Sequence, residues 1–219
     1  MRILTRLTLG ITIFISGYVI FAEQAAAASN KSHAHMGHIT MGWKDTPDGK
    51  GLLPTAIAEA NIAAQHAGFA AKKLDDFAWM HMHAHHVLHA IDASLEEKGP
   101  GLGYGVVKAA SGTDAHVNFA AKSNDASDNV RAHAAHVSAS AKNTLVRAKQ
   151  IIALAQRVVA AGSAAAASPL IKQIAMLTNE LILGSDANGD GKITWKKGEG
   201  GLNAVSKHME LMAKGEGMN

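Results

Sequence analysis

The segment from Phe77 to Lys98 reads FAWMHMHAHHVLHAIDASLEEK and decides the predicted fold class. Its apolar side chains recur at spacings of three and four residues, which is the period of one face of an α-helix. They are Phe77, Met80, Ala84, Val87, Leu88, Ile91 and Leu95. Asp75 or Asp76 can cap the N-terminus, and the run Gly99 to Gly101 ends the pattern. The segment is therefore predicted to be an amphipathic helix that extends to about Lys98.

The same spacing continues on both sides of this segment. It predicts further helices from Pro54 to about Lys73, from about Ala126 to Ala161, from Pro169 to about Leu183, and from Leu202 to Lys214. A weaker helical segment covers residues 103–123 and is interrupted at residues 111–114. No strand-like alternation occurs, and we find no repeat of solenoid length. The fold class is therefore predicted to be all-α, a helical bundle of four or five helices with a C-terminal helix–loop–helix.

The composition excludes several classes of function. The chain has 219 residues and no cysteine, which excludes disulfides, thiolate zinc sites, iron–sulfur clusters and covalently attached c-type haem. The formal net charge of +3 makes no case for nucleic-acid binding. The 13 histidines are the unusual feature, and they direct attention to metal ions.

The beginning of the chain has the pattern of a secretory signal peptide, predicted for residues 1–28. Arg2 and Arg6 precede an uncharged run from Leu7 to Ala22, and small residues follow at 26–28. The alternative is an uncleaved membrane anchor, but the run is shorter than the roughly 20 residues that span a bilayer. We expect a secreted protein, periplasmic in a Gram-negative cell, without stable membrane insertion after cleavage.

Three further regions follow the predicted signal peptide. Residues 29–52 are predicted to be a His-rich extended arm, docked through Ile39, Met41 and Trp43. Residues 53–168 form the His-rich bundle, and residues 169–219 form the helix–loop–helix packed on it.

The loop from Asp186 to Thr194, DANGDGKIT, is the most specific motif of the chain. Its order of oxygen-bearing residues, glycine and an aliphatic residue resembles the calcium loop of the EF-hand family. The resemblance covers only residues 170–214 and implies Ca²⁺ bound by Asp186, Asn188, Asp190 and the backbone carbonyl of Lys192. A single loop without a partner hand favours a structural role over a signalling one.

The loop departs from the family at its twelfth position, where Lys197 replaces the usual bidentate acid. Either the loop is lengthened and Glu199 closes the site, or the site lacks a bidentate acid and binds Ca²⁺ weakly. We favour the lengthened loop, because Gly198, Gly200 and Gly201 give the backbone freedom to bring Glu199 inward. A metal-free turn between two helices is the other interpretation.

A second candidate metal site lies on the helix that opened this section. His81, His85 and His89 recur every four residues and form one stripe, which Asp92 continues. Imidazoles at this spacing can share a transition metal, and Cu²⁺ and Zn²⁺ are the candidates. His133, from the long helix, is expected to meet this stripe. His83 and His86 are expected to face water, and His116 and His208 to be isolated.

The function predicted from these features is metal binding rather than catalysis. Ca²⁺ would occupy the loop, and a transition metal (Cu, Zn or Ni) would bind the bundle histidines. No His-Glu-x-x-His, Glu-x-x-His or Gly-x-Ser-x-Gly motif occurs, so zincin, di-iron carboxylate and α/β-hydrolase chemistry lack support. The alternatives are a bundle that holds non-covalent haem for electron transfer or gas binding, and a purely structural helical module.

Overall fold

The computed structural model describes residues 31–218, which fold into seven α-helices without a β-strand. In chain order the helices are α1 (Lys31–Thr40), α2 (Leu52–Ala71), α3 (Phe77–Ile91), α4 (Val106–Lys122), α5 (Asp128–Val159), α6 (Ala164–Leu183) and α7 (Leu202–Gly215). The all-α bundle is confirmed, although the described residues hold more helices than the four or five expected. The predicted signal peptide lies outside the described residues.

Helix α5 is the central element and packs against α3, α4, α6 and α7. At 32 residues it is about 48 Å long at 1.5 Å per residue. Its buried positions alternate at spacings of four and three residues, which keeps them on one stripe of the helix. They are Val130, Ala134, Val137, Ala141, Thr144, Ala148, Ile151, Ala155 and Val158. Ser127 begins the helix because its hydroxyl accepts a hydrogen bond from the Val130 amide at 3.1 Å.

Small side chains, rather than large ones, form the buried stripe of α2. The fully buried alanines of this stripe are Ala56, Ala60, Ala63, Ala67 and Ala70. The larger Ile57, Ile62 and Phe69 lie at its half-buried edges. Alanine adds little apolar area, but it lets neighbouring helices approach closely, so the His-bearing edges of α2 and α3 come into contact.

The prediction of an extended arm is wrong for residues 31–40, which form helix α1. Met36 and Ile39 are fully buried, and Asp125 accepts hydrogen bonds from the Ser32 amide and hydroxyl, both at 3.2 Å. A carboxylate at a helix N-terminus satisfies free amides and opposes the helix dipole. Of the expected docking residues, Ile39 is buried, Trp43 is half-buried and Met41 is exposed.

Helix α3 ends at Ile91, about two turns before the expected end near Lys98. The Asp92 carboxylate accepts hydrogen bonds from the amide and hydroxyl of Ser94, an alternative that competes with helix continuation. The N-terminus agrees with expectation, since Asp76 caps the Trp79 amide at 3.0 Å. The chain after α3 folds back over the buried Glu59, whose Oε1 accepts the amides of Tyr104 and Gly105 at 2.9 Å each.

Two other helix boundaries differ from expectation for reasons of packing and capping. Helix α4 runs without the interruption expected at residues 111–114. Gly112, within this helix, packs against Leu52, and a Cβ atom there would lie 2.8 Å from the leucine side chain. Helix α6 begins at Ala164 rather than Pro169, because the Ser163 hydroxyl caps the Ala166 amide at 3.3 Å. Pro169 therefore lies in the second turn. Gly184, at φ 83°, ends the helix as expected.

Candidate metal centres

Nine of the 13 histidines converge in three separate groups of three. We call these groups cluster 1 (His35, His38, His116), cluster 2 (His66, His83, His86) and cluster 3 (His133, His136, His208). Within each cluster, one ring nitrogen from every histidine lies within 4.8 Å of the other two. These are the groups of three or more candidate ligands found among residues 31–218.

All three clusters have the same construction. Two histidines at positions i and i+3 lie on one helix, so their rings project from the same face. The third histidine comes from a second helix packed against the first. Cluster 1 joins α1 to α4, cluster 2 joins α3 to α2, and cluster 3 joins α5 to α7.

In every cluster, at least one pair of Nδ1 atoms faces each other across the two helices. In cluster 1, His116 Nδ1 lies 3.0 Å from His35 Nδ1 and 3.3 Å from His38 Nδ1. Two imidazoles bound to one tetrahedral ion at 2.0–2.1 Å have their nitrogens about 3.4 Å apart. A single ion therefore fits between these rings after small side-chain rotations.

Clusters 2 and 3 repeat this spacing. His66 Nδ1 lies 2.9 Å from His83 Nδ1 and 3.2 Å from His86 Nδ1. His133 Nδ1 lies 3.2 Å from His208 Nδ1. The third member of cluster 3, His136, has a buried Nδ1 without a hydrogen-bond partner, and so does His83 Nε2 in cluster 2. Buried ring nitrogens normally have partners, so the free Nδ1 of His136 is open to an additional ligand. The free Nε2 of His83 points away from the Nδ1 that meets His66 and cannot bind the same ion.

Burial favours the neutral form of one histidine in each cluster. Desolvation, reinforced by repulsion from the two neighbouring histidines, lowers the pKa of His66, His116 and His208 to about 4 each. These three are the histidines supplied by the second helix of each cluster. Since a metal ion binds the neutral imidazole, the lowered pKa leaves the lone pairs available at neutral pH.

Each cluster also contacts one of the three tryptophans of the chain. The Trp43 ring centroid lies 4.7 Å from that of His38 and 4.6 Å from that of His116. The corresponding distance is 4.4 Å between Trp79 and His83. Trp195 stacks on His136 at 4.2 Å with an interplanar angle of 18°. Aromatic rings therefore form one wall of every cluster.

The shared construction corresponds to a short sequence repeat. The spacing of apolar residues along the helices did not reveal it. The paired histidines are spaced His-x-x-His and are followed by the buried Ile39, Val87 or Val137. The third histidine opens a seven-residue motif, His-x-x-(Phe/Leu)-x-Ala-Lys. It occurs at residues 66–72 (HAGFAAK), 116–122 (HVNFAAK) and 208–214 (HMELMAK). A search for this motif is the signal that would have found the clusters.

Several expectations about individual histidines are wrong. His83 and His86 do not both face water, since His83 is only 4% exposed and both rings contact His66. His116 and His208 are not isolated, because each is the third member of a cluster. Both errors have one cause: the residue that completes each cluster lies on another helix.

The expected stripe on α3 does not gather into one site. His81 and His85 are adjacent, with ring centroids 4.9 Å apart. However, His85 Nδ1 pairs with the Glu96 carboxylate at 2.5 Å, and His89 Nδ1 bonds the Glu96 carbonyl oxygen at 2.7 Å. Asp92 binds Ser94, and His133 belongs to cluster 3. The structure thus assigns these five residues to three different environments.

The calcium-type loop curls around its own carboxylates. Asp186 accepts hydrogen bonds from the amides of Gly189, Asp190 and Gly191 at 2.8–3.1 Å. Asn188 accepts the Asp190 amide at 2.9 Å, and Asp190 in turn accepts the amide of Lys192 at 2.9 Å. The acidic side chains of the loop do not form a group as tight as the histidine clusters within residues 31–218.

The Glu199 side chain is directed into the loop, toward Asn188 and Thr194. Its side chain is buried, with 1% exposure, and its Oε1 accepts the Asn188 side-chain amide at 2.8 Å. Its Oε2 accepts the Thr194 amide at 2.9 Å and the Thr194 hydroxyl at 2.5 Å. The buried Arg147 donates to the Gly198 and Glu199 carbonyl oxygens at 2.6 and 2.7 Å, which anchors this end of the loop to α5.

The last two observations concern membrane-spanning helices and similarity to known proteins. Within residues 31–218, no helix combines the length and apolar character that a bilayer crossing needs. The chain matches no protein-family model, and no curated protein or solved structure is significantly similar to it.

Proposed function

We propose that the protein binds transition-metal ions at three equivalent sites, one ion in each histidine cluster. The observation that carries the proposal is the threefold recurrence of one arrangement: a His-x-x-His pair, a third histidine from a neighbouring helix, and an adjacent tryptophan. Solvated or core histidines have no reason to converge through their Nδ1 atoms three times. Neutral imidazole is a ligand for Cu, Zn, Ni and Fe ions.

Equivalent sites favour a binding, buffering or carrier role over catalysis. A catalytic centre is normally single and combines a metal with other reactive groups. The clusters contain only histidines as candidate ligands. With the signal-like residues 1–28, the proposal is a secreted or periplasmic metal-binding protein.

Metal stoichiometry tests this proposal. Protein purified without a His-tag and freed of metal should bind three ions of Cu or Zn per chain, measured by elemental analysis after gel filtration and by titration calorimetry. The variant His66→Asn, His116→Asn, His208→Asn removes one ligand from each cluster and should lose all three sites. The matched control His33→Asn, His81→Asn, His85→Asn lies outside the clusters and should keep them. Equal loss in both variants would refute the assignment.

Calcium binding at residues 186–199 is a second part of the proposal. The buried Glu199 carboxylate, directed toward Asn188 and Thr194, supports the lengthened-loop version. Ca²⁺ should raise the melting temperature relative to excess chelator, because a ligand specific for the folded state stabilises it by RT ln(1 + [L]/Kd). Glu199→Gln should reduce this shift, whereas Glu210→Gln should not. Identical melting with calcium and with chelator would exclude the calcium site.

Non-covalent haem remains a separate hypothesis for the histidines. The visible absorption spectrum of the purified protein, before and after addition of haemin, tests it directly. A haem band that disappears in the His66→Asn, His116→Asn, His208→Asn variant would assign the clusters to haem rather than to free ions.

A further inference from the structure

The chemical character of the clusters also indicates which ion they take, an inference that rests on the proposed function. Each cluster offers three neutral nitrogen donors and no acidic ligand. A bound ion therefore keeps its full charge in a partly desolvated site. The solvation cost of burying an ion grows with the square of its charge, so a divalent ion loses about four times as much as a monovalent one of equal size.

Nearby lysines add to the penalty on a divalent ion. The Lys73 Nζ lies 4.1 Å from the centroid of the Trp79 ring, which packs on His83 in cluster 2. Lys207 directly precedes His208 of cluster 3 in helix α7. Acids also face the clusters, Asp125 near His35 and Glu96 near His86. These acids already hold hydrogen bonds with Ser32 and His85.

The aromatic wall limits how a fourth ligand can reach the ion. Besides the three tryptophans, Phe119 lies 5.3 Å from His35, and Phe69 lies 5.5 Å from both His66 and His83, between ring centroids. Zn²⁺ requires a fourth donor to complete its tetrahedron. An aromatic ring cannot supply that donor, but its π-electron face attracts a cation, and indole does so best. Zn²⁺ at a three-histidine site takes a water as its fourth ligand, whereas Cu⁺, which is also d¹⁰, is stable with three ligands.

We propose that the three clusters select monovalent copper over Zn²⁺, with each Cu⁺ held by three imidazoles beside one indole ring. No redox step is required of the protein, since Cu⁺ is the bound species throughout. Cluster 3 is the best place to examine the indole, because Trp195 is 38% exposed and stacks directly on His136.

The test is an anaerobic competition at pH 7 between the protein and a colorimetric Cu⁺ chelator, with a parallel Zn²⁺ competition against a zinc chelator. Wild-type protein should bind three Cu⁺, at least about a hundredfold more tightly than Zn²⁺, and quench tryptophan fluorescence in proportion. Trp195→Leu should weaken one of the three Cu⁺ sites by about tenfold, the effect of a partly desolvated cation–π contact. Trp195→Phe, the matched control, should retain most of that affinity.

The outcomes separate this inference from the proposed function. Three Zn²⁺ bound as tightly as three Cu⁺ would overturn the copper selectivity while leaving the metal-binding function intact. Failure to bind either ion would overturn both. Selective Cu⁺ binding that is unchanged in Trp195→Leu would overturn the role of the indole ring.

Discussion

Helix α3 carries histidines on two faces, and the two faces differ in what they meet. His83 and His86 form the inner face, where His66 of α2 completes cluster 2. His81, His85 and His89 form the face that we call outer, where His85 pairs with the Glu96 carboxylate and His89 with the Glu96 carbonyl oxygen. The outer face has the more regular spacing and one more histidine. The comparison teaches that a ligand set depends on the neighbouring helix more than on register along one helix.

Substituting the histidine pair of one face, compared with the pair of the other, should give the largest difference in the number of bound ions. His83→Gln with His86→Gln should reduce the bound transition-metal ions from three to two per chain. At a free-ion concentration one hundred times Kd, the lost site corresponds to about 2.7 kcal/mol of metal-dependent stabilisation. His81→Gln with His85→Gln should leave three ions bound. Titration calorimetry measures both variants, with circular dichroism to verify helical content. Loss of an ion only in the outer-face variant would reverse the comparison.

Acid should affect the clusters in a definite direction. The pKa of His66, His116 and His208 falls from 6.5 to about 4 on folding, so the unfolded chain binds more protons between these values. The stability of the metal-free protein should therefore be complete above pH 6.5 and decrease as the pH falls toward 4. Urea unfolding at pH 7.0 and 4.5 measures this change.

The same lowered pKa values predict resistance of the bound metal to acid. Metal should stay bound to a lower pH than it would at three histidines of ordinary pKa, because few protons compete at pH 5.5 for the one histidine of each cluster whose pKa is about 4. The variant His66→Asn, His116→Asn, His208→Asn should show a shallower pH dependence of urea unfolding in the metal-free state. A wild-type protein whose stability is constant from pH 7.0 to 4.5 would contradict the desolvation of the clusters.

The smallest effect is expected for the ion pair of the outer face. Hydrogen bonding to His85 lowers the pKa of Glu96, but both side chains are partly exposed, at 34% and 25%. Glu96→Gln should therefore cost less than about 1 kcal/mol of unfolding free energy and leave the metal count unchanged. Chemical denaturation and elemental analysis measure the two quantities. A lost metal ion would show that the outer face takes part in a site.

Much of the fold could be predicted because helix formation is a local property. The apolar spacing in α5 and α7 and the cap at Asp76 predicted these elements to within a few residues. The prediction of an extended arm failed because a distant group, Asp125, caps helix α1. The prediction of a break near residue 112 also failed, and Gly112 there lies against the distant Leu52. The helix α3 ended early through a local cause, the competing Asp92–Ser94 turn.

The candidate sites also differ in whether their residues are neighbours in sequence. The calcium-type loop is contiguous, so the contacts of Asp186, Asn188, Asp190 and Glu199 with one another and with the loop backbone are local ones, and calcium binding there stays a prediction. Two of the histidine clusters join residues far apart, with His38 and His116 separated by 78 positions and His133 and His208 by 75, whereas cluster 2 joins His66 to His83 across 17. The periodicity of single helices assigned His133 to the stripe on α3, but its partners are His136 and His208.

The sequence by itself determined that the chain is helical, where α5 and α7 lie to within a few residues, and where an oxygen-rich loop interrupts the helices. Local periodicity sets the angular position of a side chain on its own helix, and this information is complete within a few turns. The tertiary structure alone decided which histidines meet. The choice of neighbouring helix follows from the burial of all the alanine-rich stripes together, so His66, His116 and His208 acquire their partners only when the whole bundle packs.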